Sequence, residues 1–250
     1  MEQIEDTFNK KFNYPYVFLN NEAFTQEFID GVKSKTSSEV KFGELDSTMW
    51  GYPDYINQTY AAECRKHMEE QGVPYALSES YRHMCRLEPY VDYYCQLDYD
   101  VFKFMKENKK KYGNHTVYPH LLQQNDSLLN FISNDYGSTY NTCHFWSNFE
   151  IGDLSFWRSP EYLALFDYLD KSGGFYYERW GDAPVHSIAA ALLLKRNEIH
   201  FFNDIGYRHT DYTHCPMDPI YQQKCSCNPL INFDFSQKSC YPLYQYAMFS

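Results

Sequence analysis

Three carboxylates of this chain sit inside aromatic sequence. Glu150 closes the run Cys143-His144-Phe145-Trp146-Ser147-Asn148-Phe149-Glu150. Glu178 and Asp182 lie within Phe175-Tyr176-Tyr177-Glu178-Arg179-Trp180-Gly181-Asp182-Ala183-Pro184, and Gly206-Tyr207-Arg208-His209 and His214 follow. Carboxylates beside rings suit sugar chemistry, because an oxocarbenium-like centre needs a nearby negative group and rings stack on sugar faces. The same residues also admit a plainer reading, with Glu178-Arg179 a local ion pair and Glu150 a cap. A second acidic patch is Glu88 with Asp98-Tyr99-Asp100. An Asp-x-Asp at a strand end can hold a hard divalent cation, and through it a diphosphate. Asp100 equally suits the cap of the helix that follows it.

The remaining composition excludes several classes. The 250 residues carry 22 basic and 33 acidic side chains, a net charge of −11. Binding along a phosphate backbone needs the opposite balance, as does a polybasic membrane-surface module. The longest apolar run is Ile188–Leu194, far short of the roughly 20 residues of a membrane span. Met1-Glu2-Gln3-Ile4-Glu5-Asp6 is acidic where a signal peptide would be basic, so none is expected. Aromatic residues make up 19% of the chain, which suits either an aromatic-rich core or a site for flat and ring-shaped polar ligands.

The eight cysteines form no C-x-x-C pair, so zinc ribbons and thioredoxin-like motifs fit poorly. Acceptor sequons stand at Asn57, Asn114 and Asn125. Together these features favour a lumenal or extracellular protein with some disulfides. Cys215, Cys225, Cys227 and Cys240 read as a stapled loop region, with free buried thiols as the alternative.

Several elements must position these groups. Tyr16-Val17-Phe18-Leu19 reads as a buried strand. Asn21 can cap a helix running to about Lys35, Asn57 one ending before Gly72, and Asp100 a third with Val101, Phe102, Phe104 and Met105 inward and Gly113 past its end. Ser159 and Pro160 open a helix over 160–171, with Gly173-Gly174 after it. Ser187–Arg196 is a small, apolar helix, and Ile199-His200-Phe201-Phe202 a strand. Strands alternating with helices predict an α/β sheet, with residues from 215 onward mostly loop.

Longer strings are more specific. They include Lys11-Phe12-Asn13-Tyr14-Pro15, Ser78-Glu79-Ser80-Tyr81-Arg82-His83-Met84-Cys85-Arg86 and Glu88-Pro89. Tyr140 through Ile151, Trp157-Arg158-Ser159-Pro160, Gly173 through Ser187, and Asp204-Ile205-Gly206-Tyr207-Arg208-His209 complete the set. On these residues, from about 5 to 216, the chain resembles the fungal Golgi α-1,2-mannosyltransferases of the yeast killer-toxin-resistance family. The resemblance implies a GT-A type nucleotide-sugar α/β fold with one mixed central sheet. It implies transfer of mannose from GDP-mannose to the 2-hydroxyl of an α-mannoside on a glycoprotein or glycolipid, with retained configuration and Mn2+. It places the metal on Glu88 and His209 and the carboxylate nearest the reacting sugar carbon on Glu150. Donor and acceptor contacts fall on Tyr81 and Asp182 with Trp146 nearby, and Arg179 and Trp180 are further candidates for substrate binding. Asp98 and Asp100 then become structural. The family also implies a Golgi lumen location and a membrane anchor that this chain lacks, and no nucleic-acid partner.

The chain departs from the family in several places. One catalytic domain is expected over 1–250, without the family's first strand, which lines the guanosine pocket. Deletions are expected near 86–87 and 113–130, with a Cys-rich loop region over 215–250. Thr210 replaces a proline usual after the His209 motif. A catalytically impaired relative that binds mannosides or partner proteins is therefore the alternative expectation.

Overall fold

Parallel strands need a crossover between them, usually a helix, and the N-terminal third supplies one. The protein is described by a computed structural model covering residues 1–46, 49–83, 92–93, 95–114, 126–135 and 138–249, with the backbone alone at 92, 93 and 114. The chain divides into two compact units, 1–84 with 96–98 and 85–95 with 99–250.

In the first unit, β1 (Tyr16–Asn20) and β2 (Val40–Glu44) pair in parallel, Phe18 opposite Phe42. Helix α1 (Gln26–Lys33) is the crossover. Phe18 and Phe42 stack at 5.6 Å, and Phe24 and Phe28 pack on the same face. Only that face of β1 is covered: Val17 and Leu19 are exposed, so the strand is half-buried rather than buried. Packing Phe24 against Phe42 also keeps the preceding residues out of the helix. The cap is therefore Thr25, whose hydroxyl accepts from the Phe28 N–H at 3.2 Å, and not Asn21. Asn57 does cap α2 (Gln58–Glu70), accepting from the Tyr60 N–H. α3 (Glu79–His83) carries Tyr81.

The second unit contains the short β3 (Asp92–Tyr93), α4 (Val101–Glu107), β4 (Tyr112–Asn114), α5 (Leu129–Ile132), β5 (Ile151–Gly152) and α6 (Leu154–Trp157). Then come α7 (Pro160–Ser172), α8 (Gly174–Tyr177), α9 (Asp182–Leu193), β6 (Ile199–Phe201), β7 (Tyr207–His209), β8 (Tyr212–His214) and α10 (Tyr241–Phe249). Among the described residues β5-β4-β6 is a mixed sheet, with β4 antiparallel to β5 and parallel to β6, and β3-β7-β8 is antiparallel. The α/β class with a mixed sheet is as expected.

Local signals held where the chain needed only its neighbours. Asp100 caps α4, and Ser159 with Pro160 opens α7, which ends on Gly173 at φ 76°. Phe102 is exposed, however, and Gly113 lies inside β4, because α4 ends at Glu107. α9 begins at Asp182, five residues before the expected Ser187, with Pro184 accommodated in the first turn, where no N–H partner is needed. The segment from 215 is not all loop, since α10 packs against α5 and its Tyr244 meets Phe131 and Phe145 in the core. Disulfides join Cys95 to Cys225 and Cys215 to Cys227, while Cys240 is a free, buried thiol. The stapled cluster therefore holds three of its four expected members.

His200 on β6 lies between Phe104 and Phe202, and burial, with the Lys110 charge behind it, pushes its pKa down to about 4. The unfolded chain takes up that proton near pH 6.5. Between about 6.5 and 4 the unfolded state thus binds more protons, and stability falls as pH falls through this window. Above 6.5 the group has no effect. His200→Phe is expected to flatten the acid limb of a pH–Tm profile, removing up to about 3 kcal/mol of pH dependence.

Candidate active site

One stretch, 145–150, aims its side chains at several elements in turn. Phe145 points into the core, against Phe131 at 4.9 Å and Tyr112 at 5.4 Å. Its backbone is tied to α9 by Ser187, whose hydroxyl accepts from the Phe145 N–H at 2.7 Å and donates to the Ala183 carbonyl at 2.7 Å. With that anchor in place, Trp146 stands edge-on to His209 of β7 at 5.1 Å and to Tyr212 of β8 at 5.4 Å. Ser147 donates to Asp182 at the start of α9. Asn148 meets the Tyr207 hydroxyl.

Glu150 is not a cap; the cap of α6 is Asp153. Its carboxylate accepts from the Tyr112 hydroxyl at 3.0 Å, and His186 Nδ1 lies 2.9 Å from Oε1 and 3.1 Å from Oε2. His186 sits one turn after Asp182 on α9, so the two share a helix face. Burial pushes the Asp182 carboxyl up; the Ser147 hydrogen bond and the His186 charge pull it down, and the nearby Glu150 charge adds to the rise. Asp182, His186 and Glu150 thus form one electrostatic group of two acids about an imidazole. Such a group can hold one carboxylate charged beneath a reacting carbon while the second meets a hydroxyl proton.

The other sequence candidates are placed as follows. His209 and Trp146 come together, and Glu150, on the same stretch as Trp146, couples electrostatically to Asp182 of α9. Glu178, the third carboxylate, is exposed and accepts from Trp180 Nε1 at 3.0 Å. Trp180 covers Gly174, where an added Cβ would lie 2.4 Å from the indole ring. Arg179 takes a left-handed backbone at φ 59°. Tyr81 belongs to the first unit, where it stacks on Tyr75 at 5.9 Å. Asp98 lies in the first unit, where its backbone carbonyl accepts from Lys11 Nζ at 2.8 Å. Thr210, in the β7–β8 turn, has φ 51°, a conformation closed to the proline the family resemblance led us to expect.

Glu88 lies outside the described residues. β3 pairs with β7, Asp92 opposite Arg208, so the chain four residues after position 88 runs beside the strand that carries His209. An imidazole paired with a carboxylate fits manganese better than calcium. Tyr112 and His186 were the residues missed. His186 stands four positions after Asp182, and that spacing was the available signal; Tyr112 gave none.

The chain matches the family described as glycolipid 2-alpha-mannosyltransferase over residues 1–88 and 86–248. It is 45% identical to glycolipid 2-alpha-mannosyltransferase 2 of Candida albicans, over 96% of this chain and 61% of that protein. That alignment is 283 positions long, so the relative carries intervening residues that the 250-residue chain lacks. Among solved structures, the mannosyltransferase Ktr4p of S. cerevisiae in complex with GDP superposes with a TM-score of 0.91 at 36% identity, over 100% of this chain and 77% of that one. Core-mannan synthase A of Aspergillus fumigatus, in its Mn/GDP form, gives 0.88 at 33%, over 99% and 80%.

Proposed function

We propose, from the premise that this chain belongs to the glycolipid 2-alpha-mannosyltransferase family, that it moves mannose from GDP-mannose to the 2-hydroxyl of an α-mannoside with retained configuration. The observation that carries this reading is Glu150, fixed between Tyr112 and His186 beside Asp182, on the stretch that also brings Trp146 to His209.

In this reading Glu150 supplies negative charge under the sugar carbon as the bond to the diphosphate lengthens. Asp182, poised upward by burial, accepts the proton of the attacking 2-hydroxyl. Trp146 covers the sugar face. Glu88 and His209 hold Mn2+, which when bound offsets the charge gathering on the departing GDP. Arg179, Trp180 and Tyr81 are proposed substrate contacts. The two disulfides support an oxidising lumen, such as the Golgi, as the working compartment.

Incubating purified chain with GDP-mannose, Mn2+ and methyl α-mannoside is expected to yield a disaccharide. EDTA removes the activity and added Mn2+ restores it. His209→Ala is expected to lower Mn2+-supported turnover by more than about 100-fold. The family match breaks at 86–88, next to Glu88, and this favours a second reading, a mannoside-binding protein without turnover. Mannoside binding with no disaccharide product selects that reading.

A further inference from the structure

We propose that His186 is a positioning residue for Glu150, clamping its carboxylate against Tyr112; this rests on the function proposed above. An ionised carboxylate only accepts hydrogen bonds, so the Nδ1 facing both of its oxygens carries the proton. One N–H thus reaches both oxygens, at 2.9 and 3.1 Å, while the Tyr112 hydroxyl lies 3.0 Å from Oε2. Both donors share one support. The Trp157 ring lies 4.6 Å from the His186 ring and 5.9 Å, edge-on, from Tyr112. Trp157 can sit there because position 152 is glycine: a Cβ added at Gly152 would come 2.0 Å from Trp157 Nε1. Without the imidazole, Glu150 loses the contact that reaches both of its oxygens; among the described residues the Tyr112 hydroxyl still holds Oε2, and the carboxylate is less tightly oriented. Binding of the nucleotide sugar does not need that orientation; the charge that develops in the transition state does.

The test compares the parent chain with His186→Leu and His186→Asn in steady-state kinetics with GDP-mannose, Mn2+ and methyl α-mannoside, alongside thermal melts. His186→Leu is expected to lower kcat about 10- to 100-fold, the loss of one hydrogen bond to a charged group, with KM for GDP-mannose little changed. His186→Asn, whose amide N–H can reach the place of Nδ1–H, is expected to recover most of kcat. ¹⁵N-histidine spectra of the full chain are expected to show His186 protonated on Nδ1, with a resonance that moves in Glu150→Gln. An active parent with His186→Leu unimpaired overturns the inference, as does an Asn variant no better than Leu. A parent without turnover overturns the proposed function instead. The spectrum then decides the clamp, and a proton on Nε2 alone overturns it.

Discussion

Glu150→Gln is expected to lower mannosyl transfer by at least roughly 10²- to 10³-fold, the scale seen when one preorganised group facing a developing charge is removed. The substitution keeps the side chain's length. It also keeps an oxygen that, in the place of Oε2, can accept from Tyr112 at 3.0 Å and from His186 Nδ1 at 3.1 Å. What it removes is the full negative charge, together with the acceptor oxygen 2.9 Å from His186 Nδ1. Folding is therefore expected to change little, and GDP-mannose binding by calorimetry to stay near the parent value. The loss belongs in kcat, because the interaction strengthens only as the sugar becomes cationic. Retention of more than about a tenth of parental kcat, with tight binding intact, would assign the role to another group; Asp182→Asn in the same assay shows whether that group is Asp182.

The largest expected effect on stability comes from the cysteine that joins residues 130 apart. Cys225→Ser opens the Cys95–Cys225 bridge. In the chain-entropy account, releasing a loop of that size costs about 5 kcal/mol, against about 3 for the 12-residue Cys215–Cys227 loop. Measured losses for native bridges run about 2–5 kcal/mol. At about 2–4 °C per kcal/mol for a chain of this size, the melting temperature is expected to fall by roughly 5–15 °C. The consequences reach the candidate site. Cys95 Sγ accepts from the Gly206 N–H at 2.8 Å in the interior, next to the strand that ends on His209. Cys225→Ser is therefore expected to weaken Mn2+ support at temperatures where the fold still persists. Parallel melts of Cys225→Ser, Cys227→Ser and Cys64→Ser check the ranking. Cys64 is a half-exposed free thiol, and its variant is expected to melt with the parent.

Asn57, Asp100, Ser159 with Pro160, and Gly173 could be read along the chain because each acts on N–H or C=O groups within four residues of itself. The richness of 143–150 in aromatic and polar side chains was legible for the same reason: it is a property of composition. Where expectations failed, a contact with a distant residue had overruled a local one. Asn21 lost the cap to Thr25 because Phe24 packs against Phe42 on the neighbouring strand. Val17 and Leu19 stayed exposed because only one face of β1 received a cover. α10 folds where the chain looked like loop, and its Tyr244 meets Phe131 and Phe145, residues about a hundred positions earlier.

The carboxylate, the aromatic residues and the candidate metal imidazole were present in the order of the amino acids, and so was the sugar chemistry they suggest. Which of the three acids is clamped and which faces solvent was not. Glu150 is held by Tyr112 and His186 across 38 and 36 positions, while Glu178 finds its partner two residues away. Contacts of the first kind exist only after burial has driven β4, β5 and α9 around Phe145 and Ser187, since packing, and not chain connectivity, brings those segments within hydrogen-bonding reach.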